Sequence, residues 1–363
     1  MLTSPKVSSG VRGRRRAFTP VFCLTAVALI AILTALQAAP PQKPETGRVT
    51  VCTWLGNKKA AYTLSIDDGV PKPTPVMAKI FNDNNIKVTW YPMAKRWTNW
   101  KLWIEQVKAG HEVGSHTKTH PSLRKLTQAQ KIDEIVDSKA VFEREIRKGV
   151  PDYECLTFCI PLGYRDADDA SIEIIRKHYI ASKRAGSGNR GPSPDLYSVG
   201  GGGARTATSL EEYNRWVDRT IKAGGWEVET YHGLQGMGGW EATPQNIFEQ
   251  HVKYVASKRD VLWIDTVAAI AKYIRERDGA SLKIITDSQK QIVVELTDKL
   301  DDAIYDAPLT LRVKTRPGWT SPLTVTQKDR TTRVEITKEN GVSVAYVDAI
   351  PDHGPVTIKP PAK

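Results

Sequence analysis

Cysteine is scarce in this 363-residue chain: Cys23, Cys52, Cys155 and Cys159 are the four present, at irregular spacing. That excludes a disulfide scaffold and a zinc ribbon, and a chain of this length builds a core without such staples. Cys155 and Cys159 sit on one expected strand, roughly 13 Å apart at ~3.3 Å per residue, too far to bond each other. No internal repeat and no low-complexity tract occurs, which excludes collagens and coiled-coil rods. With 25% charged and 40% hydrophobic residues, the composition is not that of a disordered chain. The four glycines Gly200, Gly201, Gly202 and Gly203 lack a following Lys-Ser or Lys-Thr, so no phosphate loop is present. A long basic run is missing too. Of the net charge of +12, five cations (Lys6, Arg12, Arg14, Arg15 and Arg16) fall in residues 1–39, which hold no acid, leaving +7 spread over the remainder. This distribution does not suggest a nucleic-acid partner; a mild basic excess suits an anionic surface such as a cell wall.

What is present begins with an export pattern. The basic residues 12–16 precede an uncharged stretch, 17–42, whose residues 21–36 are apolar apart from Thr25 and Thr34. Ala38, Ala39 and Pro40-Pro41 follow. Basic, then apolar, then small is the order of a secretory signal. The stretch also reaches the ~20 residues needed to span a bilayer, so residues 1–39 read as a signal peptide or a membrane anchor, with attachment to the membrane through this segment as one outcome. The expected location of the remainder is outside the cytoplasm: periplasmic, extracellular, or anchored and facing outward.

Residues 40–48 read as a linker, rich in proline. From 49 to 280, short apolar runs alternate with helical patterns. The expected strands are 61–66, 87–91, 112–115, 156–160, 179–182, 226–231 and 261–264. The expected helices are 74–83, 97–109, 127–148, 170–177, 210–223, 244–256 and 266–277. Such alternation predicts parallel strands joined by helical crossovers, as a barrel or a doubly wound sheet. Beyond Asp278-Gly279 the period becomes two, as in Ile292, Val294 and Leu296, and Asn340-Gly341 is a two-residue hairpin signal. Residues 281–363 therefore read as a small, separate C-terminal antiparallel β-sandwich without catalytic groups.

Two segments carry chemistry. Ser65-Ile66-Asp67-Asp68-Gly69 ends a strand with adjacent carboxylates, which point in different directions, so one can hold a metal while the other faces a substrate. His116-Thr117-Lys118-Thr119-His120 places two imidazoles at i and i+4, expected to share one face of a helical turn. Together they offer one Asp and two His with a spare Asp, a nitrogen and oxygen set that leaves a position open for water, as in catalytic zinc sites.

Residues 61–277 resemble the NodB-type polysaccharide deacetylases, carbohydrate esterase family four. The stretch Tyr62-Thr63-Leu64-Ser65-Ile66-Asp67-Asp68-Gly69 is similar to the family's first motif, usually Thr-Phe-Asp-Asp-Gly. Gly110-His111-Glu112-Val113-Gly114-Ser115-His116-Thr117-Lys118-Thr119-His120 is similar to the second, and Trp226-Glu227-Val228-Glu229-Thr230-Tyr231-His232-Gly233 to the last. The resemblance implies an α/β fold with a distorted (β/α) barrel as catalytic domain. It implies that Asp68, His116 and His120 bind one divalent metal ion, with zinc as the expected species. Asp67 would be the catalytic base and His232 the general acid. The backbone N–H at Leu162 would contact the oxyanion, and Trp240 could line a sugar cleft. His111 is expected to serve structure, and Asp195 lies in about the region of an aspartate motif that is otherwise not placed. The third motif departs from the family: Arg-x-Pro-Tyr-Gly or similar is expected, and Cys159-Ile160-Pro161-Leu162-Gly163 stands there. Asp67 is therefore expected to lack its cationic neighbour, with Arg165 a nearby substitute. The implied activity is metal-dependent removal of N- or O-acetyl groups from a polysaccharide, and the implied partner is an acetylated glycan. The alternatives are a related amidohydrolase acting on a non-sugar amide, and a catalytically weak carbohydrate-binding protein.

Overall fold

A computed structural model describes residues 47–96, 99–163, 166–184 and 191–362. The expected export segment 1–39, most of the linker 40–48, and Arg165 lie outside the described residues. The elements run β1 (Val49–Val51), β2 (Ala60–Asp68), α1 (Pro73–Asp83), β3 (Thr89–Pro92), α2 (Trp100–Lys108), β4 (Glu112–Val113), α3 (Gln128–Ile146), β5 (Thr157–Cys159), α4 (Asp169–His178) and β6 (Ala181–Lys183). Then come α5 (Leu210–Ala223), β7 (Trp226–Tyr231), α6 (Gln245–Ser257), β8 (Leu262–Ile264) and α7 (Val267–Gly279).

Strand β2 is buried along nearly its whole length, the mark of a parallel strand covered on both faces. It pairs in parallel with β3, β7 and β8, and β3 pairs with β4. β5 and β6 form a second parallel pair. Single parallel bridges, Ser115 to Phe158, Lys183 to Val199 and Gly203 to Thr230, join the two groups. Pairing can thus be followed from β2 through β3, β4, β5, β6 and residues 199–203 to β7, which returns to β2. The crossover helices are set by local signals. α3 starts at a Thr127–Gln130 capping box, and α5 stops at Gly224, whose φ of 68° is left-handed.

The C-terminal strands are β9 (Ser281–Asp287), β10 (Ile292–Thr297), β11 (Leu309–Lys314), β12 (Leu323–Gln327), β13 (Arg330–Val334), β14 (Thr337–Glu339), β15 (Val342–Ala349) and β16 (Val356–Lys359). They form two antiparallel sheets, ordered β1-β11-β15-β14 and β13-β12-β16-β10-β9. Asn340 and Gly341 turn β14 into β15 with φ of 48° and 84°, the doubly positive geometry of a tight hairpin. Two features were not visible in the sequence. β1, from the start of the 49–280 segment, pairs with β11 in the register Val49 to Val313. The inward faces of the C-terminal sheets also share one core with Ile270 and Ile274 of α7 and with Trp226 and Val228 of β7. The segment 281–363 thus buries its apolar face jointly with the strand–helix part.

Candidate metal and acid–base site

The side chains of interest stand at or just beyond the carboxyl ends of parallel strands. Asp67 and Asp68 close β2, Cys159 closes β5, Lys183 closes β6, His232 follows β7, and His116 stands three residues past β4. Strands that run in parallel present those ends on one rim, so residues far apart in sequence converge there.

The two histidines meet, though not on a helix as their spacing predicts. Residues 116–120 form a tight loop in which Thr117 and His120 have φ of 66° and 65°. Thr117 Oγ1 accepts the His120 N–H at 2.9 Å. Buried Glu134, on α3, accepts the N–H groups of Lys118 and Thr119 at 2.8 and 2.9 Å and so anchors the loop. Four-residue spacing brings the rings together through this reversal, with centroids 4.7 Å apart. A β-branched threonine at positive φ is an outlier, and Asp68 (φ 68°) and Leu162 (φ 57°) share the same left-handed conformation. Each costs about 1–2 kcal/mol, and their clustering at one rim is the pattern of a functional site holding strain.

The donor geometry fits a metal. Asp68 Oδ1 lies 3.6 Å from His116 Nε2 and 3.7 Å from His120 Nε2. Ligand atoms at ~2.0–2.2 Å around a tetrahedral ion would be ~3.3–3.6 Å apart. The His116 Nδ1–H donates to the Cys159 carbonyl at 2.8 Å, which leaves the Nε2 lone pair facing Asp68. Burial pushes the His116 pKa down to about 4, with the His120 ring also lowering it against the pull of Asp67, so the imidazole is neutral as a ligand must be.

Beside this triad lie Asp67 and His232, the two residues expected to act as base and acid. His232 Nε2 is 3.9 Å from Asp67 Oδ2. Burial lowers the His232 pKa to about 4, despite Asp67. Asp67 is itself buried. Burial alone would raise its pKa, but Lys183, followed by His116 and His232, overcomes that and holds it at about 2. The expectation that Asp67 lacks a cationic neighbour is therefore corrected. Lys183 Nζ donates to Asp67 Oδ1 at 2.5 Å, and Cys159 Sγ approaches Oδ2 at 3.4 Å. Lys183 was missed because the strand signal at 179–182 stops one residue short of it. A lysine closing an apolar strand of the parallel set was the available clue.

The remaining expected residues distribute as follows. Leu162 lies on the loop leaving β5, with its side chain exposed. Trp240 packs edge-on against His232, centroids 5.1 Å apart, and lines a cleft of about 260 Å³ with Asp68, His120, Val70, Met93 and Arg96. His111 turns away: its Nδ1 accepts the Val88 N–H at 3.3 Å, and Nε2 faces Asn82 Oδ1 at 3.2 Å. Asp195 makes an exposed ion pair with Arg176 at 3.3 Å.

Comparison with known proteins finds likeness to polysaccharide deacetylases over part of the chain. Residues 56–180 match the family model for polysaccharide deacetylase. A chitin deacetylase of Colletotrichum lindemuthianum is 31% identical over 125 residues, 32% of this chain and 49% of that protein. A gellan lyase of a Bacillus species is 25% identical over 342 residues, 87% of this chain but 13% of that protein. The chain thus spans less than half the length of either curated relative. Among solved structures, a candidate polysaccharide deacetylase of Mycobacterium smegmatis superposes with a TM-score of 0.51 at 12% identity, covering 66% of this chain and 98% of that one. Residues 56–180, about a third of the chain, are thus similar to the polysaccharide deacetylase family.

Proposed function

We propose that this protein is a metal-dependent hydrolase that removes acetyl groups from an acetylated polysaccharide. The observation that carries the reading is the meeting, at one strand-end rim, of the Asp68–His116–His120 ligand set with a second carboxylate and a third imidazole, Asp67 and His232. The strand path that returns to β2 is read as a distorted (β/α) barrel, and the two C-terminal sheets as a sandwich packed against it. Asp68, His116 and His120 would hold one divalent ion, zinc by its donor set. Such an ion supplies Lewis acidity, which acidifies water and polarises an acyl carbonyl.

The chain's own residues do the rest. Asp67, ionised at neutral pH, takes the proton of the attacking water through Oδ2. The Leu162 N–H donates to the developing oxyanion, a main-chain contact that needs no particular side chain. His232 is neutral at rest, so the proton it delivers to the departing sugar amine or hydroxyl is gained during turnover rather than carried beforehand. Trp240 offers an apolar face to the sugar at the cleft wall. Residues 1–39 direct the chain across a membrane, so the substrate is a glycan outside the cytoplasm.

The test is acetate release from a panel of acetylated glycans (chitin oligosaccharides, peptidoglycan and acetylated xylan) by zinc-loaded and chelator-treated protein. Release by the loaded form that chelation abolishes is the expected result. No acetate from any member of the panel overturns the proposal.

A further inference from the structure

Lys183 has no exposed surface, and lysine is almost never fully buried unless paired. Its three ammonium protons are all engaged: Asp67 Oδ1 at 2.5 Å, Ser65 Oγ at 3.1 Å and Thr230 Oγ1 at 3.2 Å. The Tyr91 ring lies 5.2 Å below the nitrogen. The acceptors come from β2 and β7, so a side chain rooted on β6 crosses the interior of the strand ring to reach Asp67. Its root has a specific neighbour. Cys159 and Lys183 are register partners in the parallel pair β5–β6. Register partners in a parallel pair point to the same face, so the two side chains start side by side and aim at the same carboxylate. Cys159 is small, and the room it leaves lets the longer chain pass.

We propose that Lys183 is a positioning residue for Asp67: it pins Oδ1 so that Oδ2 alone faces the water and His232. The cationic work open to position 159 is done instead from its register partner one strand over. The inference rests on the deacetylase reading for its catalytic consequence but not for the pairing itself. It does not depend on Arg165 or any other residue of the loop after Leu162.

Two measurements test it on the full chain. The first is thermal unfolding of Lys183→Met, Asp67→Asn and the double variant, without substrate. Each single change strands one buried charge and is expected to lower Tm by roughly 5–15 °C, whereas the double change removes both and recovers much of that loss. Additive losses overturn the inference whether or not the protein is active. The second is steady-state kinetics with metal content measured alongside. Lys183→Met should lose about 10²-fold in kcat with KM and metal occupancy held, because a base displaced by an ångström loses that much. Lys183→Arg, or Lys183→Cys combined with Cys159→Arg, should recover at least tenfold of it by returning a cation to Asp67. A Lys183→Met enzyme within about threefold of the parent kcat overturns the positioning role. If the parent protein releases no acetate, the proposed function fails, and the stability cycle alone decides the pairing.

Discussion

Replacing Cys159 with arginine separates what the sequence suggests from what the structure dictates. By family resemblance alone, Cys159→Arg restores a missing cation and tunes Asp67. In the folded protein the expected outcome is the opposite. Cys159 is fully buried, its Sγ lies 3.4 Å from Asp67 Oδ2, and Lys183 already occupies Oδ1. A guanidinium in that position overfills a packed site, a cost of about 1–3 kcal/mol. It also places a second buried cation against one carboxylate, and an ion left without its own partner costs several kcal/mol more. Together these reach about 4 kcal/mol or more, a fall in Tm of roughly 8–16 °C at ~2–4 °C per kcal/mol. The same change disturbs the Cys159 carbonyl that accepts from His116, so metal occupancy should fall as well. The control is Cys159→Ala, which removes a weak thiol donor and should cost only about 1–2 kcal/mol. Thermal unfolding and metal analysis of the three purified proteins decide the matter. A Cys159→Arg protein melting within about 2 °C of the parent, with full metal content, would refute the packing argument.

Further expectations follow from other parts of the molecule. His120→Ala should lose most of its bound divalent metal by elemental analysis, whereas His111→Gln, altered outside the ligand set, should keep it. Adding zinc at 100 times its dissociation constant should stabilise the metal-free protein by about 2.7 kcal/mol, read as a rise in Tm that His120→Ala lacks. Glu276 is buried, with Oε1 accepting the Ala307 N–H at 2.9 Å and Oε2 unpartnered, and burial raises its pKa from 4.5 to about 8. The folded state then binds the proton more tightly than the unfolded, so this group's favourable contribution is complete below pH 4.5 and is lost as pH rises through 8. Glu276→Gln should therefore gain stability over the parent as pH increases across that window; denaturant midpoints that stay parallel between the two proteins would count against it. Truncation at residue 280 should expose Ile270 and Ile274 of α7 and leave β1 without β11, giving a protein that aggregates on size exclusion rather than a soluble catalytic fragment.

Much of this molecule was legible from residue order alone. Periodicity placed the helices within a few residues, because each apolar stripe and capping residue acts locally: Thr127 and Gln130 close their box within one turn of α3. The Asn340-Gly341 hairpin was equally local, since both residues tolerate positive φ. The candidate ligands Asp68, His116 and His120 could be named because they sit in two short, distinctive segments. What only the tertiary structure decided are the relations between distant strands. No local signal pairs Val49 with Val313, or aims Lys183 at Asp67, because register between non-adjacent segments is set by the packing of the whole core. The histidine loop shows the limit from the other side. Spacing of four predicts two rings in contact, and they are, yet the backbone reaches that contact through left-handed Thr117 and His120 held by Glu134 from α3. Sequence named the candidate groups; the fold decided which cation holds Asp67, because a charge buried among parallel strands pairs with whatever the register places beside it.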